Sequence, residues 1–434
     1  MNAHIPTRLR PLLIAAAVAV LSCSSDEGLP DEPEVSWIQA HAVPLSTADP
    51  SVAEPNFAAL ADAIGDARLV GLGEATHGTR DFWQMRQKIS KYLVEEMGFT
   101  AILHEAGFPN SLPLHDYVTT GSGDVDDAHQ RLGSWRYLEM RELIHWMRDY
   151  NEQAAGQRPL LHYYGYDCAF ADWTEASRVI TDYLALVDAA VVAEATERLD
   201  RYTTDDAEWV VDLLASNRGD YVALEGEEAY DLVLRIAENL VPNWTLWYNL
   251  RNGIPEMDVR EETNLTNVNW IVEHLLDGGK AVIWAHNFHV GNTYLEDSGT
   301  EAQMVGSRLR AQHGDDYYVI ATEFYGGSFQ AWDACPGHEF TFTVHQAAAP
   351  SSDTYAAHFH QEALPLFYLD LRGADYALPG AGRIMGPWDL RYIGASYCAQ
   401  YDTEFTRPAS LPEEFDGIVY FETTTPTTRI TLGP

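Results

Sequence analysis

The sequence predicts an α/β protein: a largely parallel central sheet flanked by helices, with a large helical insertion covering the carboxyl ends of the strands. Three observations carry this. Short apolar runs of strand length are mostly separated by stretches of helical pattern, the order that builds a parallel sheet. Each run ends on or just before an acid or a histidine, at the edge where open α/β sheets bind ligands. Residues 172–276 are mostly helical in pattern, as in Ala185–Leu199 and Ala207–Leu214.

The first run, Leu69-Val70-Gly71-Leu72-Gly73, delivers Glu74-Ala75-Thr76-His77-Gly78. A carboxylate and an imidazole on one tight loop are the minimum equipment for general-base chemistry, and the same residue types can hold a metal. Next comes a helix whose Phe82, Met85, Ile89, Leu93 and Met97 form an apolar stripe. At roughly 100° per residue Arg86 falls inside that stripe, whereas Lys88 and Lys91 are expected on the opposite, wet face. Two readings are open. Arg86 either snorkels at the stripe's edge or points back beneath the Glu74/His77 loop to hold a carboxylate, since a buried guanidinium needs an anionic partner.

Thr100–His104 then runs into Glu105, and Pro159–Tyr166 into Asp167. Lys280–Ala285 runs into His286, with Asn287 and His289 just behind. Tyr317–Thr322 runs into Glu323, and Gly417–Phe421 into Glu422. Strand ends also carry polar residues simply because they emerge into water, but Glu74, His77, Glu105 and His286 are expected to converge. Within the insertion, Trp244, Trp247 and Tyr248 either wall an apolar substrate cleft or pack as helix core. Arg260-Glu261-Glu262 opens the helix that leads to the His286 strand.

Missing motifs narrow the chemistry. There is no Gly-x-Ser-x-Gly elbow; Gly394-Ala395-Ser396-Tyr397-Cys398 comes closest and lacks the final glycine. His104-Glu105 is not followed by the second histidine of His-Glu-x-x-His, and there is no phosphate loop or dinucleotide fingerprint. Cys168 has no evident base beside it.

Composition bounds location and partners. With 27 basic and 65 acidic residues the net charge is -38, which excludes nucleic acid as a ligand class. Such a field suits either cationic substrates or a heavily solvated surface in a salty habitat. At the start, Arg8 and Arg10 precede the apolar run Leu12–Leu21, which is too short for a comfortable span and reads as a secretory signal. The Val-Leu-Ser-Cys ending resembles a bacterial lipoprotein processing site, which implies a lipid anchor on Cys23; the alternative is an ordinary cleaved signal. Residues 1–22 are thus expected to be a signal and 23–36 an acidic flexible tether. Residues 37–434 form one domain, exported and held at the cell envelope with membrane contact only through the anchor. In an oxidising compartment Cys335 and Cys398 are available to pair, leaving Cys168 free, although sequence does not dictate connectivity.

Gly73–Phe82 with Met85-Arg86, Tyr92–Phe99, Glu105-Ala106, Gly165-Tyr166-Asp167, Trp284–Gly291 and Phe415-Asp416-Gly417 together resemble the erythromycin esterase family, from about residue 66 to the end. The resemblance implies a hydrolase without a cofactor or metal, in which a histidine activates water with no covalent intermediate to cleave an ester or lactone, a macrolide ring among the options. By motif that histidine is His77, with Glu74, Arg86, Glu105, His286 and His289 lining the site. His77 is expected to act as general base, oriented by Glu74. Glu105 would contact the water or the imidazolium, and Arg86 would counter the clustered negative charge. His286 or His289 would serve as proton donor. Asn287, His289, Trp244 and Trp247 are the expected substrate contacts. Two other functions compete: a metal-dependent hydrolase using the same His/Glu set, and a non-catalytic envelope lipoprotein that binds a polyketide or glycan.

Overall fold

The computed structural model describes residues 33–430, apart from 155, 253–256 and 298–299. The main sheet is built from Val43–Pro44 (β1), Leu69–Leu72 (β2), Phe99–Gly107 (β3), His162–Asp167 (β4), Lys280–Trp284 (β5), Tyr317–Asp333 (β6), Phe342–Gln346 (β7), Leu366–Asp370 (β8), Ser396–Tyr397 (β9) and Gly417–Thr424 (β10). Its order is β1-β8-β10-β6-β2-β5-β3-β4, with β7 and β9 paired to β6. The six apolar runs of the sequence are the six neighbouring strands β10-β6-β2-β5-β3-β4, all parallel. Within this sheet the antiparallel pairs among the described residues are β1–β8, β8–β10 and β7–β6.

Register places the strand ends level. Leu72 is opposite both Trp284 and Ile320, and His104 is opposite both Trp284 and Gly165. The residues just beyond these pairs therefore emerge together at one edge, and that is where Glu74, Glu105, Asp167 and His286 lie.

Alternation along the strands divides the core between two faces. Val70, Leu72, Ile102, Val282 and Ile320 meet Phe82, Met85, Ile89 and Leu93 of the helix Arg80–Met97. Leu69, Leu103, Ile283 and Val319 meet Val268 of the helix Met257–Trp270 and Leu309 of the helix Val305–His313. Each such buried side chain contributes about 1.5–3 kcal/mol.

Seven helices lie between Trp173 and Trp270 among the described residues. Several share a core of their own, with Ile180, Leu199, Val210, Leu214, Val233 and Ile236. The helix Leu240–Arg251 is fastened to the segment after β4, where Asn243 donates to the carbonyls of Cys168 (2.7 Å) and Ala171 (3.1 Å).

Several boundaries differ from the sequence reading, and β3 and β10 run past Glu105 and Glu422 to Gly107 and Thr424. The run Tyr317–Thr322 does not stop at Glu323: β6 continues to Asp333 because its outer stretch gains β7 and β9 as partners. The helical stretch Ala185–Leu199 is broken between Val187 and Val192, where Asp188 leaves helical dihedrals (φ -153°, ψ 77°). A helix, Pro33–His41, begins inside the stretch read as tether, with proline at its first position, where no backbone donor is lost. The signal and Cys23 lie outside the described residues. A disulfide joins Cys335 and Cys398, and Cys168 is a buried free thiol. No helix among the described residues is long and apolar enough to cross a membrane.

Candidate active site

The loop after β2 is held from three sides. Ala75 donates to the Thr322 hydroxyl at 3.0 Å and accepts from the backbone of Ile393 at 3.0 Å. Gly78 packs against β6 so closely that a Cβ there would stand 2.0 Å from the Gln330 carbonyl oxygen, so no other residue fits. This fixes the backbone that presents Glu74 and His77.

Glu74 is fully buried and serves two partners. His77 Nδ1 donates to Glu74 Oε1 at 2.7 Å, and Arg86 Nη2 lies 2.5 Å from Oε2. A carboxylate only accepts, so the shared proton sits on Nδ1 and Nε2 keeps its lone pair. The His77 side chain remains 16% exposed, edge-on to Trp135 at 4.9 Å between centroids. A Cβ added at Gly394 would lie 3.9 Å from Nε2, in ordinary contact, so Gly394 borders this face of the ring. Arg86 does point inward: it is 2% exposed and sandwiched between Trp83 and Trp284, 4.8 and 4.7 Å from their rings. Burial lowers its pKa, while Glu74 and Glu105 oppose that shift.

Glu105 bridges the neighbouring strand ends. Its Oε2 accepts from the His286 backbone at 2.9 Å and its Oε1 from Arg260 Nη2 at 2.8 Å. Burial raises its pKa, but His289, Arg260 and His77 outweigh burial and hold the carboxyl well below the usual range. Arg260 also forks onto Asp167, with Nε 3.1 Å from Oδ2. His289 Nδ1 lies 3.0 Å from Glu261 Oε1, and its Nε2 sits between Arg260 Nη1 at 3.3 Å and Glu105 Oε1 at 3.5 Å. Burial and Arg260 disfavour its protonation; Glu261 and Glu105 overcome both and raise its pKa.

Two of the expected contacts are committed elsewhere. His286 accepts at Nδ1 from the backbone of Phe288 (3.2 Å) and donates from Nε2 to the carbonyl of Ala75 (3.3 Å). Burial above all, helped by His77 and His289, pushes its pKa down to about 3. It is therefore a neutral fastener with both nitrogens spent, its ring 5.5 Å from that of His77. Asn287, read as a substrate contact, is buried and uses both ends of its amide on the backbone of Thr322, at 2.8 and 3.1 Å. It clamps β5 to β6. Trp244 and Trp247 donate to the carbonyls of Tyr202 and Ala169. With Trp173, Tyr202 and Tyr248 they line a cavity of about 520 Å³ whose walls include neither His77 nor Glu105.

Asp167, Arg260 and Glu261 were legible as a strand end and a helix opening but not as members of this network. The signal was present in the helix Met257–Trp270, where Arg260, Thr263, Asn264 and Asn267 recur at helical spacing and are buried. A polar stripe with an apolar stripe's period marks a helix facing a polar centre. As for metal, Glu74, Glu105 and Asp167 each hold a guanidinium, and Glu261 holds His289 and the backbone of Val305. Among the described residues, three donor atoms of separate side chains come within 4.8 Å of one another only at Asp333, Cys335 and His338.

Fold and site together define an open α/β protein with a histidine–carboxylate–arginine centre at the carboxyl edge of its sheet. The chain belongs to the erythromycin esterase family, whose model matches residues 94–424. That match starts after the Glu74–Arg86 segment and includes Glu105, Arg260, His286 and His289. Erythromycin esterase type II of Escherichia coli is 22% identical over 329 residues, covering 67% of this chain and 77% of that protein. The putative hydrolase YbfO of Bacillus subtilis (strain 168) is 21% identical over 313 residues, covering 64% and 68%. Among solved structures, a Bacillus cereus protein superposes with TM-score 0.78 at 24% identity, covering 92% of this chain and 98% of that one. A mutant of the erythromycin esterase EreC in its open conformation gives 0.68 at 19% identity, covering 90% and 99%. At these identities the structures establish a shared fold.

Proposed function

We propose that this protein is a hydrolase of carboxylic esters or lactones that uses His77 as general base toward water. The observation that carries the reading is the Arg86–Glu74–His77 chain. Glu74, itself anchored by a buried cation, fixes the Nδ1–H tautomer and leaves the Nε2 lone pair on the side of Gly394. Nε2 takes a proton from water, and the resulting hydroxide adds to the ester carbonyl. Collapse of the adduct expels the alcohol, which needs a proton. His289 is the donor in this scheme, because Glu261 and Glu105 favour its charged form, whereas burial keeps His286 neutral. Solvent returns the proton from His77 to His289 after products leave. The names of the E. coli relative and of EreC make macrolide lactones the first substrates to try.

The test is mass spectrometry of a macrolide and simple-ester panel incubated with metal-stripped protein and with His77→Asn. The expected product is substrate plus one water, formed by the wild type alone. Turnover that needs added metal, or that survives in His77→Asn, overturns the mechanism. We also place the protein at the cell envelope on a lipid-modified Cys23, on the strength of its leader. Cys23→Ser is expected to move it from the membrane fraction to the soluble one.

A further inference from the structure

We propose that Asp333, Cys335, His338 and Cys398 form a redox-gated zinc site, closed as a disulfide when oxidised and able to hold one Zn²⁺ when reduced. The end of β6 and the turn after it bring the donors together. Cys335 N–H donates to Asp333 Oδ1 at 3.0 Å, and His338 N–H donates to the Cys335 carbonyl at 3.1 Å. This turn carries the His338 imidazole back to Asp333, Nδ1 to Oδ2 2.9 Å. Donor atoms of Asp333, Cys335 and His338 all lie within 4.8 Å of one another. The fourth donor arrives from β9, which pairs with β6 through Ser396–Trp332 and Tyr397–Asp333, so the next residue, Cys398, reaches Cys335.

Two thiolates, one imidazole and one carboxylate are a tetrahedral zinc donor set. Zinc bonds of about 2.0–2.3 Å separate the donors by about 3.5 Å; Asp333, Cys335 and His338 offer atoms within 4.8 Å of one another, and Cys398 Sγ, outside that group, has to turn in once the disulfide opens. The two cysteine Cα atoms, 4.8 Å apart, let both sulfurs turn toward a shared ion. His338 is 58% exposed and Cys335 half-buried, so metal and reductant approach from that side, Cys398 being buried. Reduction by a dithiol transfers two electrons and two protons to the S–S bond, and the dithiol leaves as its own disulfide. Zinc then displaces the two thiol protons, so binding strengthens as pH rises. Either fastener, disulfide or ion, ties down the segment that carries Gly394 past His77.

The experiment uses the full chain, reduced with a water-soluble phosphine or left oxidised, and titrated with Zn²⁺ against a chromophoric chelator. Reduced wild type is expected to take up one equivalent more than the oxidised protein. His338→Ala and Asp333→Asn should each weaken that equivalent at least tenfold, with unchanged far-ultraviolet circular dichroism. Cys335→Ser/Cys398→Ser keeps Cys23 and Cys168 and reports any zinc they bind. Reduced wild type that binds no more zinc than this double variant overturns the proposal. So does His338→Ala that binds as tightly as reduced wild type, and this holds even if the double variant fails to fold.

Discussion

Glu74 stands 2.7 Å from His77 through one carboxylate oxygen and spends the other on Arg86, so the base and its buried counter-ion share a single acid. The arrangement separates two roles that substitution can tell apart. The His77 side chain is 16% exposed and its hydrogen bond is to Glu74 alone, so an amide there keeps most of its packing. His77→Asn is therefore expected to lower kcat for ester hydrolysis by about 10²–10⁴-fold, the usual worth of a general base, with Tm within a few degrees of wild type. Steady-state rates and a thermal melt on the same preparation decide this.

Glu74→Gln should behave differently. It leaves Arg86 charged, buried between two tryptophans and without its Oε2 partner, a situation that costs about 3–5 kcal/mol. Urea denaturation should show that loss together with the loss of activity. Adding Arg86→Met removes the stranded charge and should recover a good part of the stability but none of the activity. If the double variant is no more stable than Glu74→Gln, the ion pair is not what the fold depends on.

Histidines that the fold keeps neutral weaken it in acid. Burial first, then neighbouring charge, pushes His286 down to about 3; for His129, burial outweighs a carbonyl contact and gives about 4. The unfolded value is about 6.5. Between the folded and unfolded values the unfolded chain binds protons that the folded chain refuses, so stability falls as pH drops from about 6.5 toward 3. Each ring costs up to about 1.4 kcal/mol per pH unit across its window. His289 has the opposite sign: its pKa is raised, so its contribution is complete below about 6.5 and is lost as pH climbs through the folded value. Unfolding free energies measured from pH 4 to 7 should rise with pH, and His286→Asn should flatten that slope by one proton's worth. An unchanged slope in the variant means the ring does not titrate on unfolding.

Strand ends were readable because their chemistry is local. An apolar run followed by Glu-x-x-His states both the strand and what it delivers, and Arg86 could be placed by counting residues from Phe82. What escaped depends on distant packing. Asn287 looks like a ligand contact from its neighbours His286 and His289, yet its amide is consumed by Thr322, a residue on another strand. His286 likewise reveals its neutral, doubly bonded state only when Ala75 is seen beside it. Arg260 and Glu261 were hidden by a different cause: a buried polar stripe has no hydrophobic signature, and their partners Asp167 and His289 lie 93 and 28 residues away in sequence.

Gly394 offers a test of how substrate reaches the base. A methyl group there would meet His77 Nε2 at 3.9 Å, ordinary contact, so Gly394→Ala should fold normally and cost little activity. A longer side chain at the same place has to project along the approach to Nε2. Gly394→Leu is therefore expected to raise KM for bulky lactones at least tenfold while leaving small acyl esters within about threefold of wild type, which amounts to a difference of less than about 1 kcal/mol. The readout is the ratio of kcat/KM for the two substrate sizes, since a general loss of folding lowers both alike. If Gly394→Leu depresses the small and the bulky esters by the same factor, this segment shapes the loop around His77 and does not border the path of the substrate.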